Sequence, residues 1–173
     1  MITEIDDPVI GKLTFDEYAD ENVLHWTKLE QLDLIGSDVS LIVQTDADGP
    51  TEHQRQVYLS LKSATAEMRA ELQEALFEFY KVQRELYADA CDDIEGYVEE
   101  SLPVLESSDQ IWGILDLLAW YIICPDSSID MFGPSEDRCD SAIFWHGCWD
   151  IEHEFGVLFK DGKLQRIAGV GDF

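Results

Sequence analysis

The chain predicts an α+β fold, a mostly antiparallel sheet with a C-terminal three-strand meander covered by a long helix or helix pair. Three observations predict it. Ser141 to Phe173 reads as three consecutive strands, with Asp161-Gly162 between the apolar runs Phe155–Phe159 and Leu164–Ile167; that dipeptide accepts the positive φ of a tight hairpin turn. From Val57 through Leu61, Ala64, Met68, Leu72, Ala75, Phe79, Val82 and Leu86 apolar residues recur at intervals of three and four, one stripe along a helix. Between Leu24 and Thr45 two apolar-rich runs flank Gly36-Ser37-Asp38, a hairpin pattern.

Taken in order, the first expected element is a short edge strand at Val9–Phe15, weakened by Gly11. The hairpin follows, with its turn near Ile35–Asp38 and Trp26 in or beside the core. Asp46, Asp48 and Glu52 invite comparison with a calcium loop, but Gly49 falls at position four and Val57 at position twelve, where an EF-hand needs glycine at six and a carboxylate at twelve. A helix start explains these residues: Thr51 is the N-cap and Gln54, three residues on, completes a capping box. Helices are expected over 51–62 and 64–88, or one long bent helix; a dimer seam is the alternative use of the stripe. Ile94, Tyr97 and Val98 fit a short helix closed by Pro103. Ser107 or Ser108 then caps a short helix containing Ile111, Ile114, Leu115 and Leu118, and Ala119–Cys124 reads as a buried strand. Residues 126–140 read as loop, with Ser128–Phe132 as a short strand candidate. In the last segment Ile143, Trp145, Trp149 and Ile151 are assigned to one strand face and Phe144, His146, Cys148 and Asp150 to the other.

At 173 residues and 46% hydrophobic content the chain fits a single domain spanning 1–173. Its longest apolar candidate, Ile111 to Cys124, is broken by Asp116 and too short to span a bilayer. The first residues lack the basic and apolar parts of a signal peptide, which predicts a cytoplasmic location. Cys91, Cys124, Cys139 and Cys148 include no Cys-x-x-Cys pair and read as reduced thiols.

Charge is the extreme property: 11 basic against 37 acidic residues give a net charge of −26. Such a balance disfavours nucleic acid and anionic membranes and attracts cationic partners. Between Glu85 and Asp137 there is no lysine or arginine, and Asp89, Asp92, Asp93, Glu95, Glu99 and Glu100 cluster near its start with Tyr97 among them. These seven residues are the candidate partner-binding set. The plainer reading of the run is a solvated surface that confers solubility.

His146, Cys148 and Asp150, followed by Glu152 and His153, suggest a metal site or a thiol nucleophile beside an imidazole. Their spacing matches no usual zinc pattern, and surrounding carboxylates raise a thiol pKa. The sequence contains no Gly-rich phosphate loop with lysine, no Gly-x-Ser-x-Gly and no His-Glu-x-x-His. No cofactor and no catalytic residue is expected.

Four stretches together resemble a bacterial family of small acidic domains without an established activity: Asp7-Pro8-Val9-Ile10-Gly11-Lys12-Leu13, Gly49-Pro50-Thr51-Glu52-His53-Gln54, Glu74-Ala75-Leu76-Phe77-Glu78-Phe79-Tyr80, and the run from Asp150 to Lys163. Relatives of this kind look like proteins encoded near polymorphic toxin systems, where an acidic cytosolic protein acts as immunity factor. The resemblance implies an immunity-type inhibitor that binds and neutralises a basic toxin; a monomer or weak homodimer is expected. Two alternatives stay open: a metal-dependent or thiol enzyme using His146, Cys148 and Asp150, and a non-catalytic binding module whose charge is only solubilising.

Overall fold

The computed structural model describes residues 3–16, 24–45, 48–90, 102–123 and 139–169. Among these residues eight strands form one sheet in chain order: β1 Glu4–Asp7, β2 Gly11–Asp16, β3 Leu24–Leu32, β4 Ser37–Thr45, β5 Leu115–Ile122, β6 Ser141–Gly147, β7 Asp150–Lys160 and β8 Lys163–Gly169. Every neighbouring pair is antiparallel except β4 and β5, which run parallel. A parallel pair needs a long crossover, and its described residues include helix α1 (Glu52–Lys62), helix α2 (Ala66–Ala90) and a 3₁₀ helix over Ser108–Ile114. The protein is thus two antiparallel meanders joined side by side through one parallel seam.

The N-terminal edge differs from expectation. Instead of one strand at Val9–Phe15 there are two, because the Asp7 carboxylate accepts the backbone N–H groups of Val9 and Ile10, each at 2.9 Å, and folds Pro8–Ile10 into a turn. Arg55 of α1 donates to the other Asp7 oxygen at 3.0 Å, tying this hairpin to the helix. The next hairpin turns over Asp33–Gly36, slightly before the expected position. The Arg69 guanidinium of α2 lies against it, donating to the carbonyls of Asp33 and Leu34, and a Cβ at Gly36 would meet it at 2.9 Å.

The helix break falls at residues 63–65, where the Thr65 hydroxyl accepts the Met68 N–H and starts α2. The capping box at Thr51 and Gln54 is present as the sequence predicts. Fully buried Gln54 does more: its amide nitrogen donates to the carbonyls of Gln44, next to the end of β4, and Ile123, just beyond β5. Its side chain therefore joins the helix start to both strands of the parallel seam.

One face of the sheet carries the main core. Leu41, Trp120, Ile143, Trp145 and Val157 share a buried cluster with Val57, Tyr58 and Leu61 of α1 and Leu72, Leu76 and Tyr80 of α2. Tyr58 stacks on Trp120 with ring centroids 5.7 Å apart. Trp26 is buried there as well, with Phe15 edge-on to it. The opposite face holds a smaller cluster of Ile123, Cys139, Ala142, Phe144 and Leu158. Gly156 faces Phe144 across the strands, and a Cβ there would press within 3.0 Å of the ring.

Strand β5 begins at Leu115, earlier than the expected Ala119, so Leu115 and Leu118 belong to strand and not helix. The 3₁₀ helix starts after Ser107, which makes no side-chain cap hydrogen bond. In the last meander Asp161 and Gly162 both take positive φ, 51° and 72°, as a tight hairpin turn requires. The Asp140 carboxylate accepts the Asp161 N–H at 2.8 Å and pins that turn. The expected short helix near Tyr97 and strand at Ser128–Phe132 lie outside the described residues.

A buried carboxylate links β3 to α1. Burial pushes the Glu30 pKa up, but hydrogen bonds from Lys28, Lys62 and Tyr58 outweigh that and hold it down, from 4.5 to about 2. A depressed carboxyl pKa contributes stability that is complete above about 4.5 and is lost as pH falls toward 2. Glu30→Gln should destabilise the fold by about 1–3 kcal/mol at neutral pH, and urea melts between pH 7 and 3 should show the gap from wild type closing below pH 5. A gap that persists unchanged at pH 3 would refute this role. Gln54→Ala should cost about 2–3 kcal/mol in the same melts, since it removes a cap and two buried hydrogen bonds together.

Candidate partner-binding surface

Helix α2 is the element that presents charge. Its buried positions step by four, Leu72, Leu76 and Tyr80, so the residues on the opposite side face solvent. On that side lie Glu67, Glu71, Glu74, Glu78, Glu85 and Asp89, all exposed. Lys81 pairs with Glu78 at 2.7 Å, whereas Glu71, Glu74, Glu85 and Asp89 have no ion pair among the described residues. Val82 and Leu86, expected to continue the buried stripe, are instead 54% and 58% exposed beside these carboxylates.

Of the seven residues singled out from the sequence, Asp89 sits exposed in the last turn of α2. Asp92, Asp93, Glu95, Tyr97, Glu99 and Glu100 lie outside the described residues. Sequence reading stopped short of the earlier α2 carboxylates because it treated 51–88 as core. Their spacing of three and four, from Glu67 through Glu78, was the available signal.

The His146, Cys148 and Asp150 set is not brought together. Strand β6 ends at Gly147, and Cys148-Trp149 form the turn to β7, so the expected alternation breaks after His146. The turn is tight because a Cβ on Gly147 would sit 2.4 Å from the Trp149 ring, which folds back into a cluster with Phe79, Tyr80 and Phe155. His146 shares the face of Phe144, opposite Asp116 on β5 and Glu154 on β7. The Cys148 side chain packs instead toward the main core. Burial raises its thiol pKa and the Tyr80 hydroxyl offsets only part of that. Among the described residues no three His, Cys, Asp or Glu side chains converge as a metal site.

Asp150 has a different set of partners. Its carboxylate accepts the Tyr87 hydroxyl, the backbone N–H groups of Glu152 and His153, and lies 2.9 Å from His153 Nδ1. Burial acts to raise its pKa, but the Tyr87 and His153 hydrogen bonds and the backbone donors hold it below the usual carboxylate range. This cluster joins the end of α2 to the start of β7. Among the described residues no helix is long and apolar enough to cross a membrane.

A thiol nucleophile must ionise readily, and the Cys148 environment opposes ionisation. Iodoacetamide at pH 8 should therefore alkylate Cys148 more slowly in the folded protein than in urea, as read by peptide mass spectrometry. Faster alkylation in the folded state would restore the thiol reading.

No curated protein and no solved structure shows significant similarity to the chain. One family model matches, a domain of unknown function designated DUF6985, over residues 9–172. The match spans nearly the whole sequence, and the chain belongs to the DUF6985 family.

Proposed function

We propose that the protein is a binding protein whose partner is a basic protein, and that it acts by occupying and blocking that partner, in the manner of an immunity factor against a toxin. The observation that carries this reading is the solvent face of α2, where carboxylates without ion-pair partners among the described residues flank exposed Val82 and Leu86. Protein interfaces combine apolar anchors with a charged rim, and complementary charge speeds encounter and selects partners. A net charge of −26 extends the attraction beyond single contacts, over a screening length of about 8 Å at physiological salt. The acidic run of residues 89–100 follows directly in sequence and adds to the negative charge of the chain. A cytoplasmic location fits a protein that meets its target inside the cell.

The alternative of a solubilising surface makes opposite demands on charge-reversed variants. The tagged chain should retain a basic protein from its native cells at low salt and release it in about 1 M NaCl, where screening shortens to about 3 Å. The quadruple variant Glu71→Lys, Glu74→Lys, Glu78→Lys and Glu85→Lys should lose that protein, and neutralising Asp92, Asp93, Glu99 and Glu100 together should weaken its capture. The retained protein should inhibit growth when expressed alone and cease to do so with the wild-type chain. Equal capture by the charge-reversed variant would sink the electrostatic docking model.

A further inference from the structure

A recess of about 170 Å³ lies between the last turns of α2 and the start of β7, walled by Phe79, Gln83 and Tyr87 on one side and Trp149, Asp150 and His153 on the other. Its size excludes a whole cofactor or drug-like ligand, which occupies roughly 300–1,000 Å³. It is close to the cavity of about 150 Å³ that accepts a single benzene ring. One flat side-chain head fits. Among the described residues no lysine or arginine lines the recess, while Asp150 stays ionised because its hydrogen bonds outweigh the effect of burial. The aromatic walls add the negative potential of their ring faces.

The polar contacts of the recess are already oriented. Asp150 lies 2.9 Å from His153 Nδ1 through either carboxylate oxygen, so in the neutral imidazole the hydrogen sits on Nδ1 and the lone pair on Nε2. The Asp150 oxygens are occupied by Tyr87, His153 and two backbone N–H groups. Asp150 therefore supplies charge and orientation, and His153 Nε2 supplies the acceptor. A guanidinium matches this combination better than an ammonium, since it is planar, stacks on aromatic rings and is more weakly hydrated. Val82 and Leu86 are exposed on the same helix.

The geometry points to an arginine-anchoring pocket: the recess formed by Tyr87, Trp149, Asp150 and His153 receives an arginine side chain of the basic protein partner. The source of the arginine rests on the partner-binding reading above; the chemistry of the pocket does not.

The test is a ¹H–¹⁵N NMR titration of the whole chain with N-acetyl-arginine amide, compared with the neutral isostere N-acetyl-citrulline amide and with tetramethylammonium. Arginine should give saturable shifts at the Trp149 indole, Gln83 and His153, and citrulline none. His153→Ala, at a side chain 67% exposed and thus tolerant of truncation, should weaken the arginine affinity about tenfold. Unsaturable shifts spread along the α2 carboxylates, equal shifts with citrulline, or an unchanged titration in His153→Ala would overturn the pocket. Preferential binding of tetramethylammonium would assign it to a quaternary ammonium and overturn the arginine assignment. Because the probe needs no partner, arginine binding without capture of a basic protein would sink the partner reading alone, and capture without saturation here would sink the anchor alone.

Discussion

The parallel seam between β4 and β5 is the constraint on which the rest of the structure depends. Two antiparallel meanders need no helices of their own, but joining them in parallel forces the chain through a crossover long enough to reach back. That crossover supplies α1 and α2, whose buried side chains complete the main core. Gln54 sits at the junction with every part of its amide committed: its oxygen accepts the Thr51 N–H, and its nitrogen donates to carbonyls of Gln44 and Ile123. A buried amide half-satisfied would cost more than an apolar residue of the same size. Fully satisfied, it fixes where the helix begins relative to both strands.

The second organising fact is how the few basic residues are used. Lys28 and Lys62 are spent on Glu30, Arg55 on Asp7, Arg69 on the β3–β4 turn and the Trp112 ring, and Arg84 on the Leu102 carbonyl. Apart from the Lys28–Glu30 pair within β3, each of these contacts ties a helix to another part of the chain. With these five cations engaged elsewhere in the fold, Glu71, Glu74, Glu85 and Asp89 of α2 have no ion pair among the described residues. The same scarcity of positive charge leaves one helix face and its terminal recess attractive to cations.

The parts of this architecture that were legible in the sequence are those set by local chemistry. Asp161-Gly162 announced its turn through the φ values it tolerates, and Thr51 with Gln54 announced the helix start through reciprocal hydrogen bonds. The run Leu115–Leu118 was ambiguous because a short apolar stretch suits helix and strand alike. The α2 stripe misled for a geometric reason: steps through Leu72, Ala75, Phe79, Val82 and Leu86 average 3.5 residues per turn, and on a 3.6-residue helix that row drifts around the axis by about 20° per heptad. By Val82 it has turned out to solvent, while Tyr80 has taken its place in the core. The recess was hidden for another reason. Asp150 and His153 were visible together, but Tyr87, 63 positions from Asp150, is brought to them only by the docking of α2.

Hydrogen–deuterium exchange of the chain, free and saturated with the basic protein it retains, tests the central claim most directly. The account predicts added protection over residues 78–90 and 149–154, the end of α2 and the start of β7, with β1 to β3 unchanged. Protection confined to β1–β3, or to the sheet face that carries Phe144 and Leu158, would place the interface elsewhere and contradict it.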